Sequence, residues 1–536
     1  MHDFDEGLGN AAIVAPQPEA VDVGCEVLRS GGNAADAAVA AMLAQTVVDP
    51  LMCGIAGFGT MLVSTGSRRT VTALDFHARA GSGCRPDQWA GKAEADGGAY
   101  FSHVDGHANE LGYQAICVPG TMMGIGALHR RFGSLPFAEL AAPAIALAEE
   151  GFLVRPFMHS AWVNDDDAAG SLPLARKLAE SRTGRTLFFR EDGSLKRIGD
   201  VFLNPDYAAT LRRIATAGWT DFYRGDLANE IAGDLAAGGS AVSADDLCGF
   251  TVQEAAPVVA KVWDSHIVSA PPPGGGYTVL QALAQAQRSL TRDLGFNSPD
   301  YLESLASLLK QVSGTRGASQ VDPDFVPNSG AEILSAIRSG THPTGCADGA
   351  SPEYPHTTHL AVADAQGMAV SVTHSLGTPS GVITGGLGFM YNGAMSGFDP
   401  RPGQPLSIAA GKRRQSALAP TMAFRGNSLS ATLGAPGGGH ISNAIVQALL
   451  NVLVFDMTMQ EAVSAPRVSW SGGELLLSNR IERRIERELA ARGWNVRRVA
   501  QSFAFAGVHG LKRHDKTWHG GADPQRDGMC LTVESK

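Results

Sequence analysis

The sequence predicts an α+β protein, and three observations carry that prediction. Ala-rich stretches with apolar residues at helical spacing fill much of the first third. Alternating apolar runs joined by short turns recur further on, as strand pairs do. Glycine is frequent, 64 of 536 residues, which fits a chain with many tight backbone approaches. With 44% hydrophobic and 18% charged residues the chain is globular and long enough to bury a large core.

In order along the chain, "VGCEVLRSGGNAADAAVAAML" reads as two helices meeting at a glycine corner. Val23, Val27 and Leu28 recur at helical spacing, Gly31-Gly32 end the first helix, and Asn33 with Asp36 forms an N-cap with an acid at N3. "GFGTMLVSTGSRRTVTALDF" alternates and turns at Thr65-Gly66-Ser67, a hairpin. Helices follow in "FAELAAPAIALAEEGF" and "PDYAATLRRIATAG". A second β region opens near "APVVAKVWDSHIVSAPPPGGG", with a helix from about Thr278 to Gln287 after it. From Gly295 to Tyr354 the chain is rich in Ser, Asp, Pro and Gly and reads as the most linker-like segment. Then come a strand pair, a Gly/Pro-rich passage near Pro400 to Pro405, a strand in "LSATLGAPGGGH" and a helix through "NAIVQALLNVLVF". No internal repeat is found.

Charge and cysteines exclude several classes. The net charge of −10 and the lack of any Lys/Arg run longer than Lys412-Arg413-Arg414 argue against nucleic acid as a partner. The acidic N-terminus has no basic and apolar leader regions, and the most apolar windows suit buried helices, so a cytoplasmic protein with no membrane span is expected. Seven scattered cysteines, an odd number without a C-x-x-C pair, read as free buried thiols. Neither His356, His359 and His374 nor His514, Asp515 and His519 has the spacing of a metal motif, so no metal and no cofactor are expected.

The stretch "YPHTTHLAVADAQGMAVSVTHSLG" carries the chemistry. If Ala365 to Gly367 form a three-residue loop with Gly367 in the left-handed position, Thr357 faces Ser375 across the hairpin, and two hydroxyls lie about 5 Å apart at Cβ. A two-residue loop shifts the partner to His374. A threonine hydroxyl is a weak nucleophile and needs a base, and its own free α-amine, with a pKa near 8, serves where the chain is cut before it. The His356-Thr357 bond lies between a loop-rich segment and a strand, where such a self-cleavage makes sense. Taken alone, Thr-Thr at a strand start also reads as plain β propensity.

"GAPGGGH", Gly434 to His440, lies between a strand and a helix, so its N–H groups can cradle an oxyanion, or it is only a tight turn. "PPPGGG" has the same two readings. Ser/His/Asp catalysis finds no G-x-S-x-G. Lys412-Arg413-Arg414 reads as a solvated charge run, with an anion-binding role left open by its closeness to Ser416.

Taken together, "EVLRSGGNAADAAVAAML", "APAIALAEEGF", "NPDYAATLRRIA", "FYRGDLA", "PPPGGG", "TTHLAVADAQGMAVSVT", "LAPTM", "GAPGGGH", "APRV" and "GGADPQRDG" resemble the γ-glutamyltranspeptidase family of N-terminal nucleophile hydrolases almost end to end. The resemblance implies a four-layer αββα sandwich and a precursor that cleaves itself into two subunits, residues 1–356 and 357–536, paired as a heterodimer. It implies Thr357 as nucleophile, Ser375 as the hydroxyl beside its amine, and Gly437 and Gly438 as oxyanion donors.

The departures from the family concern the substrate. His77 in "LDFHARA" stands where transpeptidases of the family have an arginine for the glutamyl α-carboxylate. Of a Ser-Ser pair only Ser416 remains, beside Ala417, and the positions that hold the α-amine fall at Gly377, Ala394 and Gly397. Arg79, Arg413 or Arg414 would have to take over a carboxylate, and the segment between Phe398 and Ser416 looks shorter than a lid-bearing loop, which favours water as acyl acceptor. A self-processing amidohydrolase acting on a small, non-γ-glutamyl amide (carboxylated, cyclic or aryl) is therefore expected. The alternatives are a γ-glutamyl transferase or hydrolase with altered head-group contacts, and an unprocessed, non-catalytic family member.

Overall fold

A computed structural model describes residues 9–92, 104–164, 172–341, 356–500 and 505–534. Thirteen strands build its two principal sheets: β1 (Ala11–Ala15), β2 (Phe58–Thr65), β3 (Val71–Phe76), β4 (Gln253–Ala255), β5 (Val258–Val262), β6 (Ser265–Ser269), β7 (Thr357–Ala363), β8 (Met368–Ser375), β9 (Thr421–Arg425), β10 (Ser428–Gly434), β11 (His509–His514), β12 (Thr517–Ala522) and β13 (Met529–Val533). The first sheet has the order β13-β1-β7-β8-β2-β3-β4 and the second β12-β11-β10-β9-β6-β5, with antiparallel neighbours throughout.

Alternation along β7 decides which way each side chain points. Leu360 and Val362 join Val370 and Val372 of β8 in the core beneath the helices, against α2 (Ala34–Val48). Ala361, Ala363 and Ala369 face the other way, with Ala12 and Ala73, and meet Met422, Phe424, Leu511 and Trp518 of the second sheet. Small residues on one sheet opposite large ones on the other let the sheets interdigitate at interior density. A helical layer covering the second sheet includes α3 (Gly276–Ser289) and α6 (Ile441–Leu453). The result is the expected αββα sandwich.

The helical expectations hold in type and near position. α1 (Pro18–Arg29) ends at Gly31, and α2 starts on the Asn33 cap, whose side chain accepts from Asp36 N while Asp36 accepts from Asn33 N. Every residue of α2 is buried, as befits a helix apolar on all sides. Phe137–Glu150 and Pro205–Ala217 are helices. Among the described residues no helix is long and apolar enough to cross a membrane.

Three expectations are corrected. The segment read as linker contains α4 (Pro299–Ser313) and α5 (Gly330–Ser339), the first capped by Ser298 with Pro299 at N1; its stretch from 342 to 355 lies outside the described residues. Ser298, Pro299 and Asp300 are the cap and first-turn residues of α4, whose apolar face is packed. Of the cysteines, Cys25, Cys53, Cys84 and Cys117 are buried and free, but Cys248 is exposed and Cys530 partly so; Cys346 lies outside the described residues. Lys412, Arg413 and Arg414 are buried, with exposures of 4, 5 and 7%, and do not form a solvated charge run.

Candidate active site

The β7–β8 hairpin has the register expected of the three-residue loop. Ala363 pairs with Ala369 and Thr357 with Ser375, and the Asp364 N–H donates to Met368 O across a turn in which Gly367 has φ +93°. Thr357 therefore begins a strand flanked on both sides, on the face that looks into the space between the sheets. Its neighbour Thr358 faces the helices, where its hydroxyl meets Gln17 and Gln45 and Gln17 in turn donates to Asp49.

Around Thr357 the hydroxyl bonding order follows from counting. The Gly377 N–H donates to Ser375 Oγ at 2.8 Å, and Ser375 Oγ donates in a short bond to the His356 carbonyl oxygen. A hydroxyl has one proton to give, so across the 3.1 Å contact with Thr357 Oγ1 it is Thr357 that donates. The peptide carbonyl between His356 and Thr357 is thus polarised by the same hydroxyl that accepts the Thr357 proton. His356 itself is held neutral: burial, then the nearby Lys177 and Arg526 charges, push its imidazole down to about 3.

The glycine turn arrives at the same end of the sandwich. A Cβ at Gly434 would fall 2.9 Å from Nε2 of His359, which shares the Thr357 face of β7, so β10 ends over that strand. Beyond it Gly437 and Gly438 take φ values of +141° and +57°, and a Cβ at Gly437 would collide with Ala506. Among the described residues neither glycine's N–H is spent on a protein acceptor. "PPPGGG" is different: the N–H groups of Gly274 and Gly275 donate to Pro271 O and Leu418 O, so that loop is structural.

The residues expected to read the substrate form a buried polar line. His77 Nδ1 lies 2.6 Å from Asp75 Oδ1 and Nε2 lies 2.6 Å from Ser416 Oγ. Burial alone would raise the Asp75 carboxyl, but His77 and Arg413 outweigh it and hold it at about 2. An ionised Asp75 accepts from the His77 Nδ1–H, and the Nε2 side of the same ring meets the Ser416 hydroxyl. Arg413 continues the line, donating to Asp75 Oδ2 at 2.7 Å, to Asp322 through Nε at 3.1 Å and through Nη2, to Asp324 at 3.0 Å, and to Gln253. Asp75, Asp322 and Gln253 were not singled out from sequence. Only the placement of Asp75 two residues before His77 hinted at one of them.

The family model for gamma-glutamyltranspeptidase matches residues 20–533. The chain belongs to the gamma-glutamyltranspeptidase family. It is accordingly an enzyme of that family, a hydrolase or acyltransferase. It is 34% identical to an acylase ACY 1 proenzyme of Pseudomonas sp. (strain V22), over 97% of this chain and 93% of that one. It is 31% identical to a glutathione hydrolase proenzyme of Pseudomonas sp. (strain A14), over 86% and 81%. Its fold matches the crystal structure of a cephalosporin acylase from Bacillus halodurans with a TM-score of 0.86 at 24% identity, covering 100% of this chain and 99% of that one.

In this gamma-glutamyltranspeptidase family member the three arginines considered for a substrate carboxylate are placed differently. Arg79 lies over the Phe250 ring, 5.0 Å from its centroid, and donates to Thr251 O. Arg413 has its donors taken by Asp75, Asp322, Asp324 and Gln253, because three carboxylates distant in sequence converge on it. Arg414 is placed otherwise. Its guanidinium lies 4.8 Å from the Phe58 ring centroid, its Nε donates to Gln415 O at 2.9 Å, and it fills the space beside Gly377 and Gly397. A Cβ on Gly377 would fall 2.7 Å from Nη1 and one on Gly397 2.6 Å from Cζ.

Proposed function

We propose that the protein is a self-processing N-terminal-threonine amidohydrolase for a small amide whose acyl part is not ordinary γ-glutamyl. The observation that carries this is the order Thr357 hydroxyl to Ser375 hydroxyl to His356 carbonyl. Thr357 Oγ1 attacks the His356 carbonyl carbon, its proton passes to Ser375, and the Ser375 proton moves to the carbonyl oxygen. The carbon–nitrogen bond then breaks with the proton returned to nitrogen, and water hydrolyses the resulting ester. The products are a 356-residue piece and a 180-residue piece that begins with Thr357.

The freed α-amine is the base that the hydroxyl lacked. It takes the Thr357 hydroxyl proton as Oγ1 attacks the substrate amide and gives it to the leaving nitrogen, while the Gly437 and Gly438 N–H groups hold the oxyanion. Water releases the acid. The similarity to relatives named as proenzymes supports the cleavage, and the similarity to one named an acylase supports amide substrates.

The test is a denaturing gel with mass spectrometry on protein kept at neutral pH. Two bands and a new N-terminal Thr357 are expected, and one band for Thr357→Ala. A wild type that stays full length and matches Thr357→Ala overturns the proposal and leaves an unprocessed family member. Similarity to a glutathione hydrolase proenzyme keeps γ-glutamyl transfer or hydrolysis as the second reading. Turnover of a γ-glutamyl anilide in competition with free glutamate would favour it.

A further inference from the structure

We propose that the chain carries a second small-molecule site, a cavity between the helix Thr121–Phe132 and the edge strand β4, and that its ligand is a flat aromatic body bearing a carboxylate. The site is independent of the amidohydrolase reading, because neither Thr357 nor any residue placed around it lines the cavity.

Alternation along β3 separates this cavity from the candidate active site. Ala73 meets the second sheet, and Asp75, two residues on, shares its face and joins His77 and Arg413. Leu74 points the other way, into the core beneath the helices, and lines the cavity. The neighbours Gln253 and Glu254 on β4 divide likewise: Gln253 accepts from Arg413, and Glu254 lines the cavity. The cavity holds about 560 Å³, within the range of small-molecule sites. Its floor is apolar, since Leu74, Met123, Tyr223 and Phe250 are core residues and the Tyr223 and Phe250 rings stack at 5.9 Å. Tyr223 offers only its ring, because its hydroxyl donates to Pro119 O and accepts from the Met123 N–H. Trp219 adds a flat wall. Its indole lies on the helix at Gly126, where a Cβ would fall 2.2 Å from Cδ2, so the helix backbone fixes the ring. Such a floor and wall suit a planar apolar body.

The rim supplies the charge. Arg130, Arg131 and Arg224 line the cavity against one carboxylate, Glu254, in a chain whose net charge is −10. Arg131 pairs with Glu254, but both side chains are exposed, and a pair of that kind is worth little and yields to a competing carboxylate. Arg224 spends Nε on Cys248 O, and the Arg130 guanidinium lies 5.7 Å from the Trp219 ring centroid. Among the described residues neither has a carboxylate partner. A carboxylate held over Trp219 therefore gains charge-assisted bonds from forks that stay charged at any working pH. A neutral aromatic gains the floor alone, and an ammonium is repelled.

Calorimetry on the wild-type protein tests this with three probes of one shape: 2-naphthoate, 2-naphthalenemethanol and 2-naphthylmethylammonium. 2-Naphthoate is expected to bind with a Kd of about 100 μM or below, and the alcohol and the ammonium at least about tenfold more weakly. The double variant Arg130→Glu/Arg224→Glu should weaken 2-naphthoate by at least about tenfold, and so should Trp219→Ala. Thr357→Ala should bind it as the wild type does. Arg130 and Arg224 are exposed, so the double variant keeps the test standing where a Trp219→Ala protein misfolds. Equal binding of the alcohol, no binding of 2-naphthoate up to about 10 mM, or unchanged binding in the folded double variant overturns the proposal. Loss of binding in Thr357→Ala overturns it too, since it would place 2-naphthoate at the candidate active site. None of these outcomes bears on whether the chain cleaves itself before Thr357.

Discussion

The Ser416 and Thr357 hydroxyls both stand beside proton acceptors, and the difference between them is a matter of single atoms. Ser416, His77 and Asp75 have the order of contacts of a serine triad although no G-x-S-x-G marks them, because Asp75 and His77 meet Ser416 only through the fold. What Ser416 lacks is a place for an oxyanion: its own N–H donates to Pro273 O, and the Leu418 N–H donates to the Ser416 hydroxyl. Asp75 is also shared with Arg413, which diminishes its stabilisation of an imidazolium. Thr357, by contrast, has both a polarised carbonyl and a glycine turn with N–H groups to spare. Ser416→Ala should therefore still cleave before Thr357, within about tenfold of the wild-type rate on a time-course gel, whereas Thr357→Ala should not cleave. The reverse pattern would move the nucleophile to Ser416.

At the scale of elements, α2 matters because its C-terminal cap lies behind the nucleophile's strand. Asp49 caps that helix, accepts from Gln17 at 2.7 Å, and is linked through Gln17 and Gln45 to Thr358. Burial outweighs the Arg155 charge and the Gln17 bond and raises its carboxyl to about 6. Because the folded value lies above the unfolded one, this group's contribution to stability is present in full below about pH 4 and is lost as pH rises through about 6, for about 3 kcal/mol in all. Replacing it by asparagine keeps an acceptor for Gln17. The thermal midpoints of wild type and Asp49→Asn should thus separate in one direction between pH 4 and 7, and parallel curves would count against the shift. Such a network was not legible in the sequence, since Gln17, Gln45, Asp49 and Thr358 have no shared spacing. What was legible is local: the Asn33–Asp36 cap, the Gly367 turn and the register it sets each depend on residues close together in the chain. The Lys412–Arg414 run was misread for the opposite reason, because Asp75 and Asp322, which hold Arg413 inside, lie hundreds or scores of residues away. Likewise α4 was hidden by a composition that serves helix caps as well as loops.

At the scale of the whole molecule, the proposed cut would pass through both sheets and not between two units. In the first sheet β7, β8 and β13 would belong to the small piece and β1, β2, β3 and β4 to the large one, so β1 lies between β13 and β7, and β8 pairs with β2. In the second, β9 to β12 of the small piece continue into β6 and β5 of the large one. Separating the pieces would expose strand edges on β1, β2, β7, β8 and β13, along with the apolar inter-sheet core to which both contribute. Neither piece keeps either principal sheet whole. Cleavage should therefore leave the two pieces in one particle: they should co-elute in size exclusion at the volume of uncleaved Thr357→Ala and part only in denaturant, in a single transition. Residues 357–536 expressed alone should be insoluble or molten, with far-UV signal but no cooperative melt. A small piece that folds alone with a sharp transition would show that residues 357–536 form an independent domain and would refute the interleaving of the sheets.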